Sequence, residues 1–143
     1  MKSLIQKFVE TIGPSGYEAP IRDVVRAEAA PYAEHVQVDA LGNLILRKGK
    51  IGKNGRKIML AAHIDEIGVV VTHVDENGFA RFSNLGGVSP RTCYSGRVRF
   101  LNGAQGVIGM DRMEDLTKLP SLEQLFIDLG ASSGRAMLGH LDA

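Results

Sequence analysis

Apolar positions recur along this chain with two different periods, and the change of period divides it. Leu4, Ile5, Phe8, Val9 and Ile12 fall three or four apart, the spacing of one helix face, with Ser3 placed to cap it. "GPSG" at 13–16 stops that helix, since two glycines and a proline cannot continue it cheaply. A second helix is expected to begin near 17–20, where Pro20 suits a first-turn position. Ile21, Val24 and Val25 form its buried stripe and Pro31 marks its end. From His35 the period falls to two. "VQVD" and "NLILRKG" read as strands joined by a turn at "ALGN", where Gly42 and Asn43 supply the unusual backbone angles.

The basic, glycine-rich loop "KGKIGKNGRK" at 48–57 reads as a solvated hairpin tip. An anion site is the weaker reading, because no helix start follows to cradle a phosphate. "KIMLAA" at 57–62 is apolar on both faces, the pattern of a central strand covered by helices on both sides. After Gly68 the texture shifts. "VVVTHVDENGFARFSNLGG" predicts a strand, a turn at 76–78 and a second strand; "GRVRFLNGAQGVIGM" repeats the theme with its turn at Asn102 and Gly103. Short strands with glycine turns suggest a small barrel or sandwich. The pattern thus predicts an α/β segment over 1–66 and a β-rich segment over 67–143, without internal repeats or low-complexity tracts.

At 143 residues the chain has room for one ordinary domain or two small pieces. An apolar fraction of 44% and a charged fraction of 23% are those of a soluble globular protein. The net charge of +1 gives no reason to expect nucleic acid or an acidic surface as partner. The N-terminal apolar residues are interrupted by Gln6, Lys7, Glu10 and Thr11, unlike a signal peptide, and no window reaches the length of a membrane span. Cys93 is the single cysteine, which excludes an internal disulfide and agrees with a cytoplasmic location.

Candidate chemistry gathers at "AAHIDEIG", residues 61–68, where the apolar run ends. Working residues in open α/β sheets collect at the carboxyl ends of strands. Imidazole is the commonest metal ligand, and it usually donates its second N–H to a carboxylate that fixes its tautomer. Alternation along a strand would turn Asp65 to the same side as His63. His-x-Asp at a strand end therefore suits a ligand and its orienting acid, although on the tripeptide alone a structural histidine is the commoner case.

The wider sequence narrows that choice. "AAHIDEIGVVV", preceded by "PSGYE" and "DALGNLIL" and followed by "NLGGV", "GVIG" and "LFIDLGASS", resembles the glutamyl-aminopeptidase and tetrahedral (TET) aminopeptidase family, some of whose members were labelled endoglucanases. The landmarks occur in order from the first helix almost to Ala143. The resemblance implies a cytosolic two-metal exopeptidase acting on peptides. Its fold would be α/β: part of a zinc-peptidase-like sheet, followed by an inserted, barrel-like β-rich dimerisation domain that begins near Ile67 and is incomplete here. By the same resemblance His63 is the first metal-ligand histidine and Asp65 the aspartate that orients it, while 66–68 continue the family's "DEIG". The two ions, zinc or cobalt, would share a bridging aspartate, with further glutamates, a second histidine and a general-base glutamate. All of those follow the inserted domain, and the sequence stops at "GHLDA" before that return.

No local residues are expected to replace them. Asp111, Glu114 and Asp115 in "MDRMEDL" read as a solvated charged face, and His73 and Asp75 as surface polar residues of the β-rich segment. His35 lies before a strand, His140 lies beside the terminus, and Asp128 in "LFIDLGA" reads as structural. Cys93 in "PRTCYSG" reads as a partly buried small residue, and "NLGGV" as a turn without the lysine of a phosphate loop. One histidine cannot hold a catalytic zinc, which ordinarily needs three protein ligands. The isolated chain is therefore expected to lack peptidase activity. Uncovered apolar surface on "KIMLAA" predicts homo-oligomers, or pairing with a complementing C-terminal portion. Three readings result: the N-terminal part of a truncated or split metallo-aminopeptidase, a non-catalytic dimerisation and assembly module, and a carbohydrate hydrolase. The last ranks lowest because no pair of carboxylates is singled out for a sugar cleft.

Overall fold

The computed structural model describes all residues except Ile51, Lys53, Asn54, Glu114, Leu116, Asp142 and Ala143. The fold is mixed α/β, and it divides into two compact units, Met1–Glu66 and Ile67–Ala143.

In the first unit, helix α1 spans Lys2–Glu10 and helix α2 spans Ala19–Ala29. Pro20 sits in the first turn of α2, where its missing N–H has no intrahelical acceptor to leave empty. Ser3 lies inside α1 and does not cap it; the N-cap position is Met1, without a side-chain hydrogen bond. Ile21 is the buried anchor of α2, with Val24 and Val25 half-buried beside it. A single 3-10 turn, Ala30–Tyr32, carries Pro31 just past the end of α2. Strands β1 (His35–Val38) and β2 (Leu44–Arg47) form an antiparallel pair. Asp39 shapes their turn: its carboxylate accepts from the Leu41 and Asn43 amides and from the Asn43 side chain, and Gly42 takes φ 88°.

The expected central strand at 57–62 is not formed. The backbone there is irregular, and Ile58, Met59 and Leu60 are 85%, 87% and 93% exposed. A strand exists only through its ladder, and among the described residues no neighbour pairs with this segment and no helix covers it. The apolar pattern therefore records a fitness for coverage that these residues do not supply. For the same reason the loop at 48–57 is not a hairpin tip, and Ile51, Lys53 and Asn54 within it lie outside the described residues.

The second unit holds the larger core. Strands β3 (Gly68–Val74), β4 (Ala80–Leu85), β5 (Arg97–Arg99), β6 (Gln105–Met110) and β7 (Leu125–Asp128) form one antiparallel sheet in the order β3-β4-β7-β6-β5. Burial alternates along β4 and β7, so Ala80, Phe82, Leu125 and Ile127 point inward beside Ile108 of β6. Short helix α3, Pro90–Cys93, precedes β5, and helix α4, Gly134–Leu141, inserts Met137 into this cluster. The alternation of the strands drew no attention to α4, which begins at a glycine and carries only a short apolar stripe. The turn between β3 and β4 explains one obligatory glycine. Gly78 has φ 86°, and a Cβ there would lie 2.8 Å from the Ala131 carbonyl oxygen.

Polar contacts brace the same sheet. Arg81 of β4 donates to both carboxylate oxygens of Asp111, at 2.7 and 3.0 Å, and its guanidinium lies 5.4 Å from the Phe126 ring centre. Asp111 is thus a structural partner and not merely part of a solvated face; Glu114 of the same acidic run lies outside the described residues.

Because Ile127 is 1% exposed at the centre of this core, Ile127→Ala should lower the stability of the second unit by about 2–5 kcal/mol. Urea-dependent amide exchange in β4 and β6 measures this, and an unchanged exchange midpoint would contradict the assigned core.

Candidate functional site

The loop after α1 and the residues preceding β3 come together within the first unit. Pro14 and Glu66 form an isolated parallel bridge, in which the Glu66 amide donates to the Gly13 carbonyl at 2.9 Å. The Gly13 amide in turn donates to Glu66 Oε1 at 3.1 Å. Gly13 is needed there, because a Cβ would collide with Ile21 Cγ2 of α2. The small residue lets the loop lie against the buried anchor of the helix while its backbone reaches residue 66.

Asp65 occupies the middle of this junction. Its Oδ2 accepts from the Ser15 hydroxyl at 2.5 Å, and its Oδ1 lies 3.0 Å from His63 Nδ1. His63 Nδ1 is also 3.0 Å from the Asp65 carbonyl oxygen. The hydroxyl of Ser15, and after it the imidazole, hold the Asp65 carboxyl below the usual carboxylate range. An ionised carboxylate and a carbonyl both only accept, so Nδ1 must carry the proton. In the neutral ring Nε2 then presents its lone pair, on a side chain that is 86% exposed. This arrangement can bind a cation or accept a proton through Nε2, with the ring held by Asp65 and Asp65 held by Ser15.

Ser15 had no role in the sequence reading, although "PSGYE" was among its landmarks. Its signal is a hydroxyl fifty residues upstream, which no local spacing connects to Asp65. The remaining candidates do not join the site. His73 is exposed on β3, whereas Asp75 accepts from the Asn77 and Phe79 amides and lies 3.6 Å from Arg81. Asp115 accepts from Thr117 and pairs with Lys118 at 3.6 Å. Asp128 accepts from the Gly130 amide. His35 is exposed on β1 and His140 on α4. Cys93 is half-buried, and burial raises its thiol pKa, the opposite of an activated nucleophile. "NLGGV" turns at Gly86, whose carbonyl accepts from the Asn84 side chain.

Among the described residues no three His, Cys, Asp or Glu side chains gather as metal ligands. One imidazole nitrogen is fewer than the three protein ligands that a catalytic zinc site ordinarily uses. Among the described residues, no helix is long and apolar enough to cross a membrane.

A family model described as M42 glutamyl aminopeptidase matches residues 42–138. A protein of Acetivibrio thermocellus, provisionally named an aminopeptidase, is 45% identical over 135 residues, which cover 93% of this chain and 39% of that protein. Lysyl aminopeptidase of Pyrococcus furiosus is 36% identical over 141 residues, covering 91% of this chain and 40% of the enzyme. Among solved structures, the Pyrococcus horikoshii TET1 peptidase can assemble into a tetrahedron or a large octahedral shell. It matches with a TM-score of 0.80 at 33% identity, over 96% of this chain and 43% of that one. The chain thus spans about two-fifths of the length of the relatives it matches.

The depressed Asp65 pKa gives a signed expectation. The junction gains stability from the carboxylate above the ordinary carboxylate value and loses it as pH falls through the lowered one. Ser15→Ala should move the Asp65 titration midpoint, followed by carboxyl carbon NMR, upward toward the ordinary value. A midpoint unmoved by the substitution would remove Ser15 from the site.

Proposed function

The chain belongs to the M42 glutamyl aminopeptidase family, and on that premise we propose that it is the N-terminal portion of a metal-dependent aminopeptidase. The whole enzyme would release N-terminal residues from peptides. A divalent ion, zinc or cobalt, would supply a water made acidic enough to act as nucleophile near neutral pH. Two such ions are expected per active site. His63 contributes one ligand through Nε2, Asp65 orients the ring, and Ser15 orients Asp65. The other ligands and the general base come from outside this sequence, so the chain alone is inactive.

The observation that carries this reading is the fixed imidazole: Nδ1 is committed to Asp65 at 3.0 Å, in a segment that the family model covers. Such a carboxylate–histidine arrangement is the usual support of a ligating histidine. The glutamyl and lysyl names among the relatives differ, so the substrate is described only as a peptide with a free N-terminus. On this reading Met1–Glu66 belongs to the catalytic domain and Ile67–Ala143 to the inserted dimerisation domain. The chain would act in the cytoplasm within a homo-oligomer, as the assembling TET1 relative suggests, or with a complementing C-terminal portion.

A second reading, a non-catalytic assembly module, draws on the distribution of burial. Among the described residues, six of the seven buried apolar side chains lie in the second unit and one, Ile21, in the first. One experiment separates the two. This sequence should replace the matching segment of the Pyrococcus furiosus lysyl aminopeptidase, and release of amino acids from peptides should be measured with zinc or cobalt. An active chimera is expected, with His63→Ala abolishing release and Asp65→Asn reducing it about 10–100-fold. Activity indifferent to His63→Ala would favour the module, as would an inactive chimera that still assembles.

A further inference from the structure

Two hairpin turns of the second unit touch the two ends of helix α4, and each contains an Asn-Gly pair. At the start of α4 the β3–β4 turn is tightly packed. The Gly134 amide donates to the Glu76 carbonyl at 3.2 Å, and a Cβ on Gly78 would lie 2.8 Å from the Ala131 carbonyl oxygen. At the end of α4 a side chain of the β5–β6 turn does the holding. Asn102 Nδ2 donates to the His140 carbonyl at 2.7 Å and lies 3.4 Å from that of Leu141, while its Oδ1 accepts from the Ala104 amide at 3.0 Å. Gly103 beside it has φ 91° and open space where a Cβ would stand. We propose that Asn102 is a deamidation site, protected while α4 is docked and converted when the end of α4 opens, after which the helix end no longer docks. The proposal does not depend on the aminopeptidase reading.

The reaction needs only water as co-reactant. The Gly103 main-chain nitrogen attacks Asn102 Cγ, the new N–C bond closes a five-membered imide, and Nδ2 leaves as ammonia with the Gly103 proton. Water then opens the imide at either carbonyl. One product is aspartate; the other is isoaspartate, whose main chain runs through Cβ. A following glycine favours the attack because no side chain crowds the nitrogen. Two hydrogen bonds oppose it in the docked state: Nδ2 is fixed to α4, and the Gly103 amide donates to the Phe100 carbonyl at 2.9 Å. Local opening removes the first and leaves the turn free to release the second. Helix α4 suits such opening, since two of its eight residues are glycines. At Asn77 the same attack would have to move Gly78 from its place against Ala131 and Ser133. Conversion at Asn102 also prevents return. A carboxylate donates nothing to the His140 and Leu141 carbonyls, and its charge meets the negative end of the helix.

Ageing the chain near neutral pH, followed by tryptic peptide mapping with isoaspartate detection, tests the proposal. Peptides 58–81 and 100–112 carry Asn77 and Asn102 separately. Conversion should run about ten-fold faster at Asn102 than at Asn77, because one site opens with a helix end and the other only with a packed turn. Gly139→Ala, for which the structure has space, should strengthen α4 and slow conversion at Asn102 about five-fold. This variant favours the folded helix, so an absence of slowing has no origin in misfolding. Asn102→Asp, which makes one product directly, should raise amide exchange in α4 about ten-fold and leave β4 and β7 unchanged. Equal or faster conversion at Asn77 would overturn the site, as would no conversion at Asn102 while the guanidine-unfolded chain converts. A rate at Asn102 indifferent to Gly139→Ala would overturn its protection by α4. Exchange in α4 unchanged by Asn102→Asp would overturn the loss of docking.

Discussion

Asp65 holds together the features that give this chain a recognisable chemistry. One carboxylate oxygen takes the Ser15 hydroxyl and the other takes His63 Nδ1. The residue thereby fastens the loop after α1 to the end of the apolar run and decides which imidazole nitrogen is free. Without the serine, the carboxylate would be one more solvated acid. Without the carboxylate, an exposed histidine would rotate and exchange tautomers in water. The neighbouring Gly13–Glu66 pair holds the two backbones in register, so a short-range hydrogen-bond set does what a sheet does elsewhere.

The distribution of packing explains why this junction rests on polar contacts. The second unit buries an alternating set of side chains from three strands and one helix, and a sheet with that core defines its own register. Among the first unit's described residues Ile21 is the one buried apolar side chain. Its most apolar stretch, 57–62, is left in water. Here that stretch forms an exposed surface. The chemistry and the exposed surface are adjacent for that reason, since both belong to the end of one run.

Elements whose signals are local were legible in the sequence. Pro20 announced the first turn of α2, Gly42, Gly78 and Gly103 marked turns they occupy at positive φ, and the pattern over 69–87 marked β3 and β4 as two strands joined by a turn. Features that depend on partners distant in sequence were not legible. The run at 57–62 has the composition of a buried strand, but composition cannot report whether a neighbour exists to complete the ladder. Helix α4 was hidden by its glycine start, and Asp111 by an acidic run whose partner, Arg81, lies thirty residues away. His63 and Asp65 could be paired from their spacing, whereas Ser15 required the fold.

The central claim is that Asp65 fixes His63 with Nδ1 protonated and Nε2 free to bind. Long-range nitrogen–proton NMR of the imidazole, recorded where the ring is neutral, reads that tautomer directly. The account predicts a protonated Nδ1 and an unprotonated Nε2 in the native chain, with the preference lost in Asp65→Asn. A ring protonated on Nε2, with Nδ1 bare, would contradict it.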